Sequence, residues 1–174
     1  MNEWKLVFDI FLQQKNIKSD FDAFKETGGQ FKAIDIVSEN VKIEKAGAVL
    51  QLVGIENWGA KARFPKYGKM ELAMNGVQPE LPIILMSHDP SHWEAEVIPK
   101  YPQINLTLSG HTHGMQFGLE NPYFKWSPVQ WVYKQWAGLY EKQQQQLYVN
   151  RGFGFLGYPG RVGIMPEITL IELM

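Results

Sequence analysis

The chain's four histidines fall in two short stretches, "ILMSHDPSHW" and "INLTLSGHTHGMQFG", each opening on an apolar run. Imidazole nitrogen is a good ligand for Zn, Mn, Fe or Ni. With no cysteine there is no disulfide framework and no thiolate site, so a metal here has to be held by His, Asp, Glu or Asn. His88 sits at the carboxyl end of the first run, and His111 and His113 sit just past the second. Gly110 and Gly114 bracket the "HTH", which lets the backbone turn sharply and leaves the imidazoles uncrowded. In an extended stretch, side chains at i and i+2 point to one side. His111 and His113 can therefore share a site that His88 enters from a neighbouring strand end. A lone histidine at a loop start is more often a locally hydrogen-bonded polar residue. Three at adjacent strand ends, two of them in G-H-x-H-G, point to a metal site instead. His92 differs, lying in the first turn of a helix where it would border the site.

The elements that position these residues are legible around them. "PIILMSH" and "INLTLSGH" are short, continuously apolar runs, as expected of strands buried on both faces. Between them, "DPSHWEAEVIPKYP" carries helix-start chemistry: Asp89 can cap with Pro90 at the first helical position, or Ser91 and Glu94 can form a capping box. The resulting strand–helix–strand unit brings both carboxyl ends to one side, where loops of an open α/β sheet converge on ligands.

Upstream, "FKAIDIV", "NVKIEK" and "AVLQLVG" read as strands, with Ala46-Gly47 as a hairpin turn. "KMELAMNG" predicts a short helix. Residues 2–14 place Trp4, Val7, Phe8 and Phe11 at helical spacing and predict an amphipathic helix. A second short helix is expected from Ser19 or Asp20 through Phe24 to the stop "TGG". Downstream, Ser127-Pro128 opens a helix, "GLYEKQQQQLYVN" reads as a hairpin around the glutamines, and "EITLIEL" is a final strand. The fold class is α/β with a strong β component.

Two further segments carry two readings each, and a third is a candidate rim. Val129, Val132, Tyr133 and Trp136 share a helical face near Trp126 and Trp131; core packing is the simpler reading, and a pocket wall or membrane-facing patch the functional one. Arg151 and Arg161 flank the glycine-rich "RGFGFLGYPGRVG", which is an ordinary turn or a loop that approaches a phosphate through backbone N–H groups. Asn57 and Trp58 follow a strand end and would line the same rim.

Bulk properties narrow the classes. The 174 residues suit one ordinary domain, without internal repeats or a linker. A net charge of −1 gives no electrostatic reason to expect nucleic acid or an anionic membrane. No apolar window is long enough to span a membrane, and "MNEWKLVFDIF" lacks the basic start of a secretory signal.

"SGHTHGMQFG" preceded by "MSHDPSHW" resembles the C-terminal half of the calcineurin-like metallophosphoesterases. The likeness runs from about Phe21 to the C-terminus and includes "GIENWG", "KWSPVQW" and "YVNRGFG". It implies part of a layered α/β/β/α fold, with β-sheets flanked by helices, and a site for two divalent metal ions (Mn, Fe, Zn or Ni) that hydrolyses a phosphoester. It also implies that His88 and His111 ligate the second metal and His113 the first. Residues 1–174 would then be one partial domain with residues 1–20 as a helical lead-in. The family's D-x-H, G-D-x-x-D and G-N-H-[DE] motifs are absent from the sequence. The expectation is a half-site that is inactive alone, needs an N-terminal half and self-associates through exposed edges. A non-catalytic metal- or protein-binding module is the alternative, and a mononuclear three-histidine hydrolase a more distant one. Cytoplasmic and exported locations are equally allowed.

Overall fold

The computed structural model describes residues 4–8, 38–45, 47–61, 66–157 and 159–173. Its strands are β1 (Trp4–Phe8), β2 (Glu39–Lys45), β3 (Ala48–Gly54), β4 (Ile83–Met86), β5 (Leu106–Ser109), β6 (Leu119–Asn121), β7 (Phe124–Trp126), β8 (Gly138–Lys142), β9 (Gln145–Val149) and β10 (Thr169–Leu173). The main sheet has the order β2-β3-β4-β5-β9-β8. Its four central strands are parallel, and β2 and β8 join antiparallel through hairpins.

Apolar continuity in β4 has a simple cause: alternate residues enter different cores. Ile83 and Leu85 pack with Val53, Leu147 and Val149 against the helical segments. Ile84 turns to the opposite face, where it joins Leu50, Leu106 and Leu108 under Ile171 and Leu173 of β10. Each fully buried aliphatic side chain contributes roughly 1.5–3 kcal/mol, so both faces of this strand are stabilised. The described residues thus stack as helices, six-stranded sheet and the β1–β10 ribbon. This is the α/β architecture expected, compatible with the metallophosphoesterase fold.

The helical layer is short. Helix α1 spans Met70–Ala73, and α2 is a π-helical turn, Trp93–Val97, continued by Ile98–Lys100. Pro99 has no N–H to give the carbonyl of Ala95, and the turn widens so that the Ile98 N–H reaches the Trp93 carbonyl. Asp89 opens this segment: its Oδ1 accepts from the Ser91 N–H at 2.8 Å. The capping box does not form, because Ser91 Oγ accepts from the Ala60 N–H at 2.9 Å.

Two expectations change. Trp4–Phe8 is not helical; it pairs antiparallel with β10 in the register Trp4↔Leu173 to Phe8↔Thr169. The remainder of that predicted helix, the one expected after Ser19 and the strand "FKAIDIV" lie outside the described residues. The Ser127-Pro128 start leads only to a 3₁₀ turn, Pro128–Trp131, although Ser127 caps it by accepting from the Val129 N–H at 3.2 Å. The glutamine hairpin is present as β8–β9, with Gln143 and Gln144 both at positive φ in its two-residue loop.

Candidate functional site

Hydrogen bonds beyond the strand ends bring the histidines together. The Ser87 N–H donates to the Leu108 carbonyl at 3.0 Å, and the Gly110 N–H donates to the His88 carbonyl at 3.1 Å. This continuation of the β4–β5 ladder places His88 beside His111. Their rings meet edge to face with centroids 4.8 Å apart, and His111 Nδ1 lies 2.9 Å from His88 Nε2. One ring donates a proton to the other. Two nitrogens held about 2.0–2.1 Å from one cation lie roughly 2.9–3.4 Å apart at octahedral to tetrahedral angles, so the pair has chelating spacing.

His113 is presented differently. The segment from His111 to Gln116 is not extended; His111, His113, Met115 and Gln116 all have φ between +49° and +66°. Left-handed backbone at non-glycine residues costs energy and persists where the surroundings hold it. Here Thr112 Oγ1 donates to the Trp136 carbonyl at 2.8 Å and Ser127 Oγ donates to the Gly114 carbonyl at 2.8 Å. Arg161 donates to the carbonyl of His113 at 3.3 Å and to those of Arg151 and Gly154 at 2.8 Å. The i, i+2 argument for a shared side therefore fails at this turn. His113 Nδ1 is buried without a hydrogen-bond partner. Burial, then the Arg161 charge, then His111 hold the imidazole below its ordinary pKa, which keeps it in the neutral, ligating form. Among the described residues, no three His, Asp or Glu side chains converge into a metal cluster. The structure joins two of the three expected ligands.

The expected rim residues divide. His92 is fully buried rather than on a rim, with Nδ1 2.9 Å from Ser87 Oγ and Nε2 3.3 Å from Glu96 Oε2. Burial lowers its pKa to about 4, against the opposing pull of Glu96. Trp58 packs on His92 with centroids 4.4 Å apart, and Lys66 Nζ lies 4.1 Å above the Trp58 ring. Asn57 gives its carbonyl to the N–H groups of Tyr67 and Gly68. Arg151 is held by two carboxylates, Glu120 and Glu167, the latter at 2.7 Å. Its guanidinium thus anchors the glycine-rich loop.

Comparison with known proteins decides the family. Over 126 residues the chain is 38% identical to a zebrafish (Danio rerio) transmembrane protein with metallophosphoesterase domain, covering 70% of this chain and 27% of that protein. The cattle (Bos taurus) protein of the same description is 33% identical over 146 residues, covering 78% and 31%. The chain belongs to the metallophosphoesterases. The uncharacterized metallophosphoesterase YkoQ of Bacillus subtilis is 26% identical over 157 residues, 90% of this chain and 55% of that protein. The chain thus spans between about a quarter and just over half of these relatives' lengths. No family profile matches, and no solved structure matches.

Two residues beside the histidine pair were not singled out for it from the sequence. Asp89, buried next to His88, accepts from the Tyr133 hydroxyl at 3.1 Å. Tyr133 in turn lies edge-on to His111 at 5.4 Å, and Lys61 Nζ sits 5.0 Å from the Tyr133 ring centroid. Burial, then the Asp89 charge and hydrogen bond, push the phenol pKa up and keep it protonated. Asp89 had a sufficient structural role as a helix cap. A Cβ at Gly59 would stand 2.3 Å from Asp89 Oδ2, so the loop after β3 closes on this carboxylate only because residue 59 is glycine.

Proposed function

We propose that this chain supplies the C-terminal ligands, His88, His111 and His113, of a dinuclear metal site in a metal-dependent phosphoester hydrolase. The observation that carries the reading is the His88–His111 pair at chelating distance on adjacent parallel strand ends. The neutral, unpartnered Nδ1 of His113 on the neighbouring turn supports it. His88, His111 and His113 would help hold the divalent ions, two in the family's full site, which when bound would neutralise charge on phosphate oxygens and activate a water. The chain's own residues hold that geometry. Tyr133 and Asp89 fix the outer edge of His111, Arg161 clamps the His113 carbonyl, and the buried Ser87–His92 contact steadies the strand end before His88. Asn57 and Trp58, in the loop after β3, would line the rim of that site. The phosphoester class comes with the family; the remaining ligands would come from a segment bearing D-x-H, G-D-x-x-D and G-N-H-[DE], which the sequence lacks.

A second reading, a non-catalytic metal- or protein-binding module, is favoured by one observation: no third ligand joins the pair among the described residues. Calorimetric titration with Zn or Mn, joined to a complementation assay, separates them. The chain alone is expected to bind one ion weakly, His111→Ala to lose most of that binding, and neither to hydrolyse an activated aryl phosphate. Losing one preorganised electrostatic donor alone costs a hundredfold to a thousandfold as an order of magnitude. An N-terminal half carrying the three motifs, added or fused in front, is expected to restore metal-dependent turnover. A well-folded, metal-loaded complement without turnover would favour the binding module.

A further inference from the structure

Helix α1 ends on the only Asn-Gly pair in the sequence, Asn75-Gly76. The Asn75 N–H donates to the Leu72 carbonyl and the Val77 N–H to the Met74 carbonyl, both at 3.2 Å. Gly76 then takes φ +76°, the left-handed backbone on which helices commonly stop. Both residues are exposed, and nothing stands within 4 Å of where a Gly76 Cβ would be. Among the described residues, neither the Asn75 side chain nor the Gly76 N–H takes part in a hydrogen bond. Other asparagines are occupied or precede a poor neighbour. Asn150 is buried, its Oδ1 accepting from the Gly152 N–H and its Nδ2 donating to Thr169 Oγ1. Asn105 Oδ1 accepts from the Ile83 N–H at 2.8 Å, and Asn40 Nδ2 donates to the carbonyls of Ala73 and Asn75. Asn121 precedes Pro122, whose nitrogen carries no hydrogen, and Asn57 precedes the bulky Trp58.

We propose that Asn75 is a site of spontaneous modification, losing ammonia to its own backbone and becoming aspartate or isoaspartate. The Gly76 nitrogen attacks Cγ of Asn75. An N–Cγ bond forms, the Cγ–Nδ2 bond breaks, and the departing NH2 takes the former Gly76 proton to leave as ammonia. One water then opens the cyclic imide, its hydroxyl going to a carbonyl carbon and its hydrogen to the Gly76 nitrogen. Opening at Cγ gives aspartate; opening at the main-chain carbonyl gives isoaspartate, which routes the backbone through Cγ. Glycine favours the attack because no Cβ crowds its nitrogen and its φ is free to adjust. The place of this turn gives the change a consequence. The Asn75 carbonyl accepts from Asn40 Nδ2 at 2.9 Å and so ties β2 to the end of α1. Further on, Gln78 exchanges two hydrogen bonds with the buried Gln51 of β3, at 2.8 and 2.6 Å. Isoaspartate turns the Asn75 carbonyl into a carboxylate and adds a methylene between the two anchors, so β2 and β3 lose part of their tie to α1. The chemistry uses neither a metal nor a phosphoester and is independent of the function proposed above.

The test is peptide mapping of the full chain over time in mildly alkaline buffer, by mass spectrometry that separates aspartate from isoaspartate. The peptide holding Asn75 should gain both products ahead of every other asparagine, and should take up heavy oxygen when the buffer is made in labelled water. Gly76→Ala should slow the change about tenfold or more, with circular dichroism checking the variant's fold. Because alanine there also strains the turn, the parent is followed in parallel with and without urea. Modification of the unfolded chain with none in the folded chain would overturn the proposal, since the turn would then shield Asn75. So would a Gly76→Ala rate equal to the parent's, or an earlier change at another asparagine. The isoaspartate form, separated by ion exchange through its added negative charge, should unfold at a lower urea concentration than the parent. An equal midpoint would overturn the assigned loosening of β2 and β3.

Discussion

At the scale of single residues, His92 shows why a histidine near a site need not belong to its chemistry. Its ring is enclosed by Trp58, Ser87 and Glu96, and burial holds its pKa near 4 against an ordinary 6.5. Between those values the unfolded chain takes up a proton that the folded chain refuses. Stability contributed by the neutral ring is therefore fully present above pH 6.5 and lost as pH falls toward 4. The loss amounts to about 3 kcal/mol when complete. Urea unfolding across this window should show stability falling with acidity, and His92→Gln should flatten the slope while lowering stability at neutral pH. An unchanged slope in the variant would assign the acid sensitivity to other groups. The positions of His88, His111 and His113 were legible from spacing because strand ends in a parallel sheet must face one way. Their orientation was not. Left-handed φ at His111 and His113 is imposed by Thr112, Ser127 and Arg161, whose partners lie far along the chain.

Elements were legible where one periodicity excluded the other. β4 and β5 are too short and too evenly apolar for amphipathic helices, and Asp89-Pro90 marks the start between them. At the N-terminus Trp4, Val7 and Phe8 fit a helical stripe, yet Trp4–Phe8 pairs with β10, and tertiary pairing overrides spacing in so short a run. The β6–β7 hairpin escaped notice because its strands have three residues each, too few to show an alternation, and nearly all of them are exposed. What seats it is a contact between two glycines. Gly163 has φ +68°, and a Cβ there would stand 1.9 Å from the Gly118 carbonyl oxygen. Gly163→Ala should accordingly destabilise the protein by about 1–3 kcal/mol through strain and displacement of the loop. Gly154→Ala, with open space around it, is the control and should change stability by less than about 0.5 kcal/mol. Thermal unfolding of the two variants side by side reads the difference; equal midpoints would mean that the glycine-rich loop is not seated on residue 118.

For the molecule as a whole, the fold concentrates its exposed apolar surface at the strand-end loops and keeps charge on its edges. Among the described residues the outer strands of the main sheet are β2 and β8. Outer strands present unpaired N–H and C=O groups, and charged side chains are the usual means of discouraging another strand from joining. β2 carries Glu39, Lys42, Glu44 and Lys45, all exposed, and β8 carries Glu141 and Lys142. Self-association through these edges, expected from the sequence, has to overcome that charge. Lys42 and Glu44 alternate with Val41 and Ile43, so replacing both with isoleucine leaves a continuous apolar run from residue 41 to 44 on an outer strand. Such a run has strong β-propensity and no charge, the combination that recruits further strands. Lys42→Ile with Glu44→Ile should aggregate measurably faster than the parent chain by light scattering at neutral pH, with little change in secondary structure beforehand. The parent should bind a dye for apolar surface mainly through the β6–β7 face, and a Phe124→Ser, Trp131→Ser variant of two exposed residues there should bind less without any change in aggregation rate. If the edge variant stays as soluble as the parent, the β2 edge is already covered, and residues 9–37 are the segment to probe next for that cover.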